Sequence, residues 1–346
     1  MLYLSTKNQH DTYTSYRVIH TGTASDGGLY VPFRLPRLDE AMIRELSAGS
    51  LCGNMAQILN LFFGTGITEL ELEYVLGRNH TRLSTMTHRV VIGELWHNVQ
   101  WNYDNAVQAV SDALRREGKG ESPTDWVRTA VRIASIFALY GQIVAEGVIA
   151  SGEMLDIAVP MGDFAAPMAA WYARKMGLPI GTIICGCNEN SALWDLMNLA
   201  DISTGDTVME TLTPLCDHQV PAGLNRLVFE TLGWEEAVRF DAICENGRHF
   251  APAEEQYDLI KAGFFTAVSS ISRIDSVIRN VYSTTGYILS PYDALAYGAL
   301  LDYRSKSGQG STCLLISERS PVCDDKTTAY ALGISADQLS ARMQSR

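Results

Sequence analysis

Residues 154–190, MLDIAVPMGDFAAPMAAWYARKMGLPIGTIICGCNEN, decide the fold class of this 346-residue chain. An apolar stretch ends at Pro160, and an alanine-rich segment with helical character follows a loop at residues 161–164. Gly177 is placed to end that helix, and a second apolar stretch comes after it. The pattern predicts a strand–helix–strand unit whose two strands run parallel, with a right-handed crossover between them.

Each predicted strand of this unit is followed by small or polar residues. Gly162 follows the first strand, and Asn188 to Asn190 follow the second. In doubly wound sheets, ligands bind beside the loops at the carboxyl ends of the strands. The sequence therefore places its default binding site at these two loops.

Helical patterns flank the unit on its N-terminal side. Residues 123–148, PTDWVRTAVRIASIFALYGQIVAEGV, form a long apolar segment that Thr124 or Asp125 is placed to cap, so we expect a buried helix. Apolar residues at helical spacing predict further helices between residues 39 and 76. Near the other end of the chain, residues 311–318, STCLLISE, predict a last strand.

The length of the chain favours two subdomains, because 346 residues are more than one hydrophobic core usually contains. A turn-rich opening, SDGGLYVPFRLPRL, and the helices after it predict a small N-terminal subdomain over residues 1–85. Residues 86–346 are expected to form a larger α/β domain with a mostly parallel central sheet flanked by helices.

Composition limits the classes of partner. A formal net charge of −12 and a pI near 5.0 argue against nucleic acid and anionic membranes, which are bound through excess Lys and Arg. The seven cysteines stand mostly in apolar runs, which favours reduced, buried thiols, and no leader or long apolar run is evident, so we expect a cytoplasmic protein. Neither the cysteines nor the histidines have the spacing of a metal site.

Several segments, in order along the chain, resemble threonine synthase, a fold type II enzyme of the tryptophan synthase β-like class that uses pyridoxal 5′-phosphate (PLP) to convert phosphohomoserine to threonine. The loop GDFAAP resembles the family's Gly-Asn-Phe-Gly loop. The resemblance implies the fold of that class and a cleft for an amino-acid substrate. The segments are LYLSTK (2–7), SDGGLYVPFRLPRL (25–38), SPTDWVRTAVRIASIFALY (122–140), residues 156–190, TLTPLCDHQVPAGLNRLVFETLG (211–233) and TTGYILSPYDALAYGAL (284–300).

The chain departs from this family where the family holds PLP. No lysine occurs between Lys7 and Lys119, where the family has its Schiff-base lysine. Asp163 stands in the loop that resembles a PLP phosphate cradle, and a carboxylate there repels phosphate. The family's pyridine-facing hydroxyl segment reads SERSPV (317–322) here. We therefore expect no PLP and no other cofactor.

The small cofactor-facing subdomain of the family is expected to be largely deleted. Two alignments of the remaining residues are open. GELWHN (93–98) would be a relic of the lysine segment, or NYDNAVQAVSDAL (102–114) would match a later helical segment, which we favour.

Three residues are candidates for proton transfer: Asp163, His218 and Glu318. Asp163 follows a predicted strand, although capping of the next helix is an equal alternative. His218 lies beside Asp217, and a histidine with a neighbouring acid suits acid–base chemistry near neutral pH. Glu318 and Arg319 would form an ion pair with each other that fills the emptied pocket, or would bind a zwitterionic ligand.

The candidate substrate-binding residues lie in the same segments. Asn188 and Glu189 match the family's Asn-Glu-Asn segment, and a turn or cap is their alternative role. Arg128, near the start of the long helix, would hold a phosphate or carboxylate, or would be an ordinary surface arginine. The full candidate set for ligand binding is Gly162, Phe164, Asn188, Glu189, Arg128, Arg319 and His97.

Two functions are consistent with these residues. The first is a PLP-independent enzyme with lyase, hydrolase or cyclase chemistry on a small amino-acid-like or phosphorylated substrate. The second is a pseudoenzyme that binds an amino acid or stabilises a partner enzyme, with a homodimer as a further expectation.

Overall fold

A computed structural model describes residues 1–78, 81–87, 89–96, 103–116, 122–190, 192–203, 207–247 and 249–345 of the chain. The strands are β1 (Leu2–Ser5), β2 (Asn8–Thr14), β3 (Tyr30–Pro32), β4 (Arg82–Thr87), β5 (Val90–Glu94), β6 (Leu155–Pro160), β7 (Ile180–Cys187), β8 (Ile202–Ser203), β9 (His249–Phe250), β10 (Phe264–Val268) and β11 (Cys313–Ser317).

The helices are α1 (Ser15–His20), α2 (Glu40–Glu45), α3 (Leu51–Phe63), α4 (Glu69–Leu76), α5 (Tyr103–Arg115), α6 (Asp125–Ala145), α7 (Ala165–Met176), α8 (Ala192–Leu199), α9 (Leu224–Leu232), α10 (Trp234–Glu245), α11 (Glu254–Lys261), α12 (Ile271–Thr285), α13 (Pro291–Ser307), α14 (Asp325–Leu332) and α15 (Ala336–Gln344). Short 3-10 helices occur at Pro214–Cys216 and Pro321–Asp324.

The central sheet, within the described part of the chain, has six strands in the order β10-β7-β6-β11-β5-β4. Its strands run parallel except β4, which pairs antiparallel with β5 at one edge. A small antiparallel sheet, β2-β1-β3, forms near the N-terminus, and β8 pairs with β9. Helices α7 and α13 pack against β6 and β7. This confirms the predicted α/β class with a mostly parallel central sheet.

The strand–helix–strand unit that the sequence predicts is confirmed as β6, α7 and β7, with β6 and β7 paired in parallel. Helix α7 ends at Gly177, whose φ of +118° lies in the left-handed region. A Cβ atom on this glycine would lie 2.7 Å from the Leu38 carbonyl oxygen. Glycine is therefore required here both for its backbone conformation and for the close approach of the N-terminal segment.

Helix α6 is the predicted long helix, and it is a core helix. The Thr124 hydroxyl accepts a hydrogen bond from the Val127 N–H and donates one to the Val18 carbonyl, which fixes where the helix begins. Its Trp126 side chain is fully buried, with edge contacts to the rings of Tyr3 and Tyr172. By length and composition α6 is apolar enough to cross a membrane, but 78% of its most apolar window is buried inside the protein.

The predicted boundary at residue 85 stays a prediction. One apolar core contains side chains from both sides of it, including Phe62 and Leu72 on one side and Val91 and Phe137 on the other. The packing therefore continues without a break from the N-terminal helices into the central sheet.

A fully buried arginine joins the N-terminal sheet to the start of α6. Arg226 on α9 has no exposed surface and pairs with Asp125, the first residue of α6. Its Nε donates to the Tyr30 carbonyl at 3.2 Å, and its guanidinium lies 5.4 Å from the centre of the Trp126 ring. Burial lowers the pKa of this guanidinium, but Asp125, Tyr172 and Glu230 together raise it by more, so the arginine stays charged. Three elements are thus held at one point.

Replacing Arg226 with methionine should lower the free energy of unfolding by about 2–4 kcal/mol, because removing one partner leaves Asp125 and the Tyr30 carbonyl without their donor. Denaturant unfolding measures the change. Arg239→Met, at a half-exposed arginine on α10, is the matched control and should change stability by less than about 1 kcal/mol. Equal losses in the two variants would show that the buried pair does not join these elements.

Candidate functional site

A cavity of about 420 Å³ opens at the carboxyl ends of β6 and β11. Among the described residues, its walls come from the loop after β6, the segment after β11, the starts of α5 and α13, one face of α6 and residues 214–218. This is the edge of the parallel sheet where the sequence predicts a site. Six of the predicted residues line the cavity: Arg128, Gly162, Asp163, His218, Glu318 and Arg319.

The loop after β6 uses its own backbone donors. The Gly162 N–H donates to the Cys216 sulfur at 3.4 Å, and the Phe164 N–H donates to the Met161 carbonyl at 2.9 Å. The Ala165 N–H, at the start of α7, donates to the Asp163 carboxylate at 2.9 Å. A phosphate cradle needs such N–H groups free and directed at the ligand. This loop therefore does not fit the phosphate of PLP.

Asp163 bonds to the backbone at the start of α7 and also lines the cavity, so both roles that the sequence left open stay predictions. One carboxylate oxygen accepts from the Ala165 N–H beside the start of α7, while the side chain is exposed and lines the cavity. Phe164, by contrast, is fully buried with φ of +71°, and its ring lies 5.9 Å from that of Phe264. Phe164 therefore anchors the loop, and Asp163 is the loop's side chain at the cavity.

The strongest ion pair in the cavity joins α6 to the end of β11. Arg132 donates through Nε and Nη2 to the two carboxylate oxygens of Glu318, each at 2.8 Å. Its guanidinium also lies 5.1 Å from the centre of the Tyr103 ring. Burial lowers the pKa of Arg132. Glu318, together with Tyr103 and Asp163, raises it by more than burial lowers it, so the net shift is upward. With both oxygens engaged, Glu318 is better suited to holding Arg132 than to moving protons.

The expected ion pair between Glu318 and Arg319 is wrong, because each residue has a different partner. Arg319 binds Asp324 at 3.2 Å, and its guanidinium lies 5.6 Å from the centre of the Tyr292 ring. Both residues line the cavity, but Glu318 is held by Arg132 through both of its carboxylate oxygens. The ion pair that occupies this pocket is therefore the one between Arg132 and Glu318.

Two weaker contacts lie at the rim. Arg128 contacts Asp104 at 3.3 Å, and both side chains are more than one third exposed, so this pair adds little stability. His218 is partly exposed, and its Nε2 lies 3.1 Å from the Leu215 carbonyl. Arg128 and His218 are thus held loosely enough to contact a ligand.

Asn188 and Glu189 lie outside the cavity lining. Asn188 is fully buried, and its amide nitrogen donates to Asp217 at 2.7 Å, with the Thr213 hydroxyl at 3.1 Å. Glu189 accepts from the Ile271 N–H at the start of α12. Asn188 therefore positions the segment that carries His218, and Glu189 caps a helix. His97, the remaining predicted binding residue, lies outside the described residues.

Asp293 lines the floor of the cavity and was not predicted. It is 2% exposed, and its Oδ2 accepts from the Ser290 N–H at 3.1 Å and the Ser317 hydroxyl at 2.9 Å. The indole N–H of Trp96 donates to that hydroxyl in turn. Burial raises the pKa of Asp293 to about 7. The Ser-Pro-x-Asp pattern indicates a helix start, but nothing in it shows that the carboxyl faces a cavity.

Asp293→Asn should change how stability depends on pH. The folded protein keeps a proton on Asp293 between pH 3.8, the ordinary pKa, and about 7, whereas the unfolded chain loses it. The wild type should therefore lose stability across this range by about 1.4 kcal/mol per unit of pKa shift at most, relative to the variant. Urea unfolding at both ends of the range measures this, with Asp337→Asn as a surface control. A constant difference between wild type and variant would contradict it.

Comparisons with known proteins agree with this architecture. The family model described as "Threonine synthase N terminus" matches residues 2–79. "Threonine synthase-like 1" from Homo sapiens is 27% identical over 176 residues, which covers 50% of this chain and only 24% of that relative. Threonine synthase from Pseudomonas aeruginosa is 23% identical, with 88% of this chain and 85% of the relative covered.

Solved structures extend the likeness to nearly the whole chain. PLP-bound threonine synthase from Brucella melitensis has a TM-score of 0.84 at 19% identity and covers 99% of this chain and 94% of its own. Threonine synthase from yeast has a TM-score of 0.83 at 18% identity, with 96% and 90% covered. Residues 2–79 thus match the threonine synthase N-terminal family model, and the chain as a whole has the fold of solved threonine synthases.

Proposed function

We propose that this chain is a PLP-independent, threonine synthase-like protein that binds a small amino-acid-like ligand in the cavity. The observation that carries the proposal is the loop after β6, whose Gly162, Phe164 and Ala165 N–H groups all donate within the protein. A cofactor phosphate would have to break these bonds and lie beside the Asp163 carboxylate.

Two further observations support the absence of PLP. None of the described residues that line the cavity is a lysine, and the sequence has none between Lys7 and Lys119. The alignment with the Pseudomonas aeruginosa relative runs over 405 positions, more than the 346 residues of this chain. Parts of that relative thus have no counterpart here, in keeping with a reduced cofactor-facing subdomain.

The cavity offers groups for both ends of an amino acid. Its volume of about 420 Å³ suits a small molecule. Asp163 has an exposed carboxylate for an ammonium group. Arg128, whose contact with Asp104 is exposed and weak, is the arginine most easily released to a carboxylate. We further propose that the protein is cytoplasmic.

A ligand screen tests the proposal. Amino acids, phosphorylated amino acids and PLP are added to the purified chain, and thermal unfolding is followed. A ligand at one hundred times its Kd should stabilise the protein by about 2.7 kcal/mol, because only the folded state binds it. We expect at least one amino-acid-like compound to do so, and PLP to give neither stabilisation nor a bound chromophore. Stabilisation by PLP alone would sink the proposal.

Acid–base catalysis is a second candidate function, favoured by the positions of Asp163 and His218 on the cavity wall. Neither belongs to an ion pair among the described residues, so each is available to a bound ligand. Lyase, hydrolase or cyclase chemistry would use one as base and the other as acid. The chain would otherwise be a pseudoenzyme that binds its ligand or stabilises a partner, as a homodimer or beside another enzyme.

Asp163→Asn separates catalysis from binding. If Asp163 is the base, the variant should fold normally and convert the ligand found in the screen at least roughly tenfold more slowly, as followed by NMR. Asp337→Asn, at an exposed aspartate on α15 that does not line the cavity, is the control and should keep most of the rate. A ligand that stays unchanged over days with the wild type would favour the pseudoenzyme.

A further inference from the structure

The charged groups around the cavity are unevenly paired. Each of its three arginines already has a carboxylate partner on the protein. The partners are Asp104 for Arg128 at 3.3 Å, Glu318 for Arg132 at 2.8 Å and Asp324 for Arg319 at 3.2 Å. A ligand carboxylate would therefore have to displace one of these partners.

Two carboxylates of the described lining residues form no ion pair. Asp163 at the rim and Asp293 at the floor have no basic side chain within 4 Å in the part of the chain that the structure describes. Asp163 accepts from the Ala165 N–H, and Asp293 accepts from the Ser290 N–H and the Ser317 hydroxyl. The described residues of the lining thus carry more negative than positive charge once their ion pairs are formed.

The positions of Asp163 and Asp293 indicate which ligand charge would neutralise their two negative charges. Asp163 is exposed where a ligand enters, and Asp293 is buried where a ligand would end. A positive charge in the cavity gains from both carboxylates, and at the buried end little water screens it. A ligand with a free carboxylate would be repelled where that carboxylate lies near Asp293. Beside an arginine, it would compete with the carboxylate to which that arginine is already paired.

We propose that the cavity selects a small amine with net positive charge, such as an amino acid whose carboxylate is masked as an amide, with Asp163 and Asp293 as its counter-charges. This inference rests on the proposed ligand-binding function and names the charge class of the ligand. It also excludes phosphorylated amino acids, because a phosphate adds two negative charges to a cavity with a negative excess.

Three derivatives of serine that differ in charge test this inference by isothermal titration calorimetry. L-Serine amide, L-serine and O-phospho-L-serine are titrated into the full chain at about pH 7.5, above the pKa of about 7 to which burial raises Asp293. This pH is also below the ordinary α-amino pKa of about 7.7–8.0, so that much of the amide still carries its positive charge. The amide should bind roughly tenfold more tightly than the acid, and the phosphate should not bind. Raising the salt concentration should weaken binding of the amide more than that of the acid.

Variants assign the preference to the two carboxylates. Asp163→Asn, at an exposed position, should reduce the preference for the amide at least about threefold, and Asp293→Asn should do the same if circular dichroism shows it folded. Asp337→Asn, on the surface of α15, should leave the preference unchanged.

The outcomes separate this inference from the function on which it rests. Serine that binds as tightly as its amide would overturn the charge selection and leave the proposed binding function standing. Binding of none of the three, together with silence in the wider screen, would overturn both. A preference for the amide that persists in Asp163→Asn and in folded Asp293→Asn would also overturn the assignment to these carboxylates.

Discussion

The pair between the buried Arg226 and the partly exposed Asp125 is the interaction on which the position of the site depends. Asp125 is the first residue of α6. Arg226 binds both its carboxylate and the Tyr30 carbonyl, and so connects α6 to the N-terminal sheet. Arg128 and Arg132 follow one and two turns later on the same helix, because residues three to four positions apart recur on one face. Fixing the start of α6 thus also fixes the two arginines in the cavity.

The pair between Arg132 and Glu318 makes the second connection, from α6 to the end of β11. Burying two charges costs more than their attraction returns unless the geometry is good and the remaining donors are satisfied. Here both carboxylate oxygens are bound at 2.8 Å, and the guanidinium lies over the ring of Tyr103. The Glu318 carbonyl also accepts from the Tyr103 N–H, which attaches the start of α5 to the same point. The cavity wall is therefore held by charge as well as by apolar packing.

Local sequence features predicted the fold well because the fold depends on local patterns. The alternation of apolar runs around Gly177 is enough to specify β6, α7 and β7, and Thr124 marks the start of α6. The partners of the charged residues were not predictable in this way. Glu318 is 186 positions from Arg132, and its neighbour Arg319 looked like the natural partner. The spacing of Arg128 and Arg132 by one helical turn was the available signal that both would reach the cavity.

The difference between local patterns and distant partners also explains two differences between sequence and structure. Asp293 lines the cavity but was not predicted, and Asn188 was predicted to bind a ligand but lies outside the cavity lining. Both are buried polar residues whose roles depend on hydrogen bonds made far along the chain, Asp293 with Ser317 and Asn188 with Asp217. A buried carboxyl that lines a cavity affects any ligand there, whereas a buried amide that only supports a loop does not. In this protein the loop after β6 places a carboxylate where a phosphate-bearing cofactor would need cations or free N–H groups, and a second carboxylate, that of Asp293, lines the same cavity. The two carboxylates come from separate parts of the chain, the loop after β6 and the start of α13, so a single local distortion does not account for both.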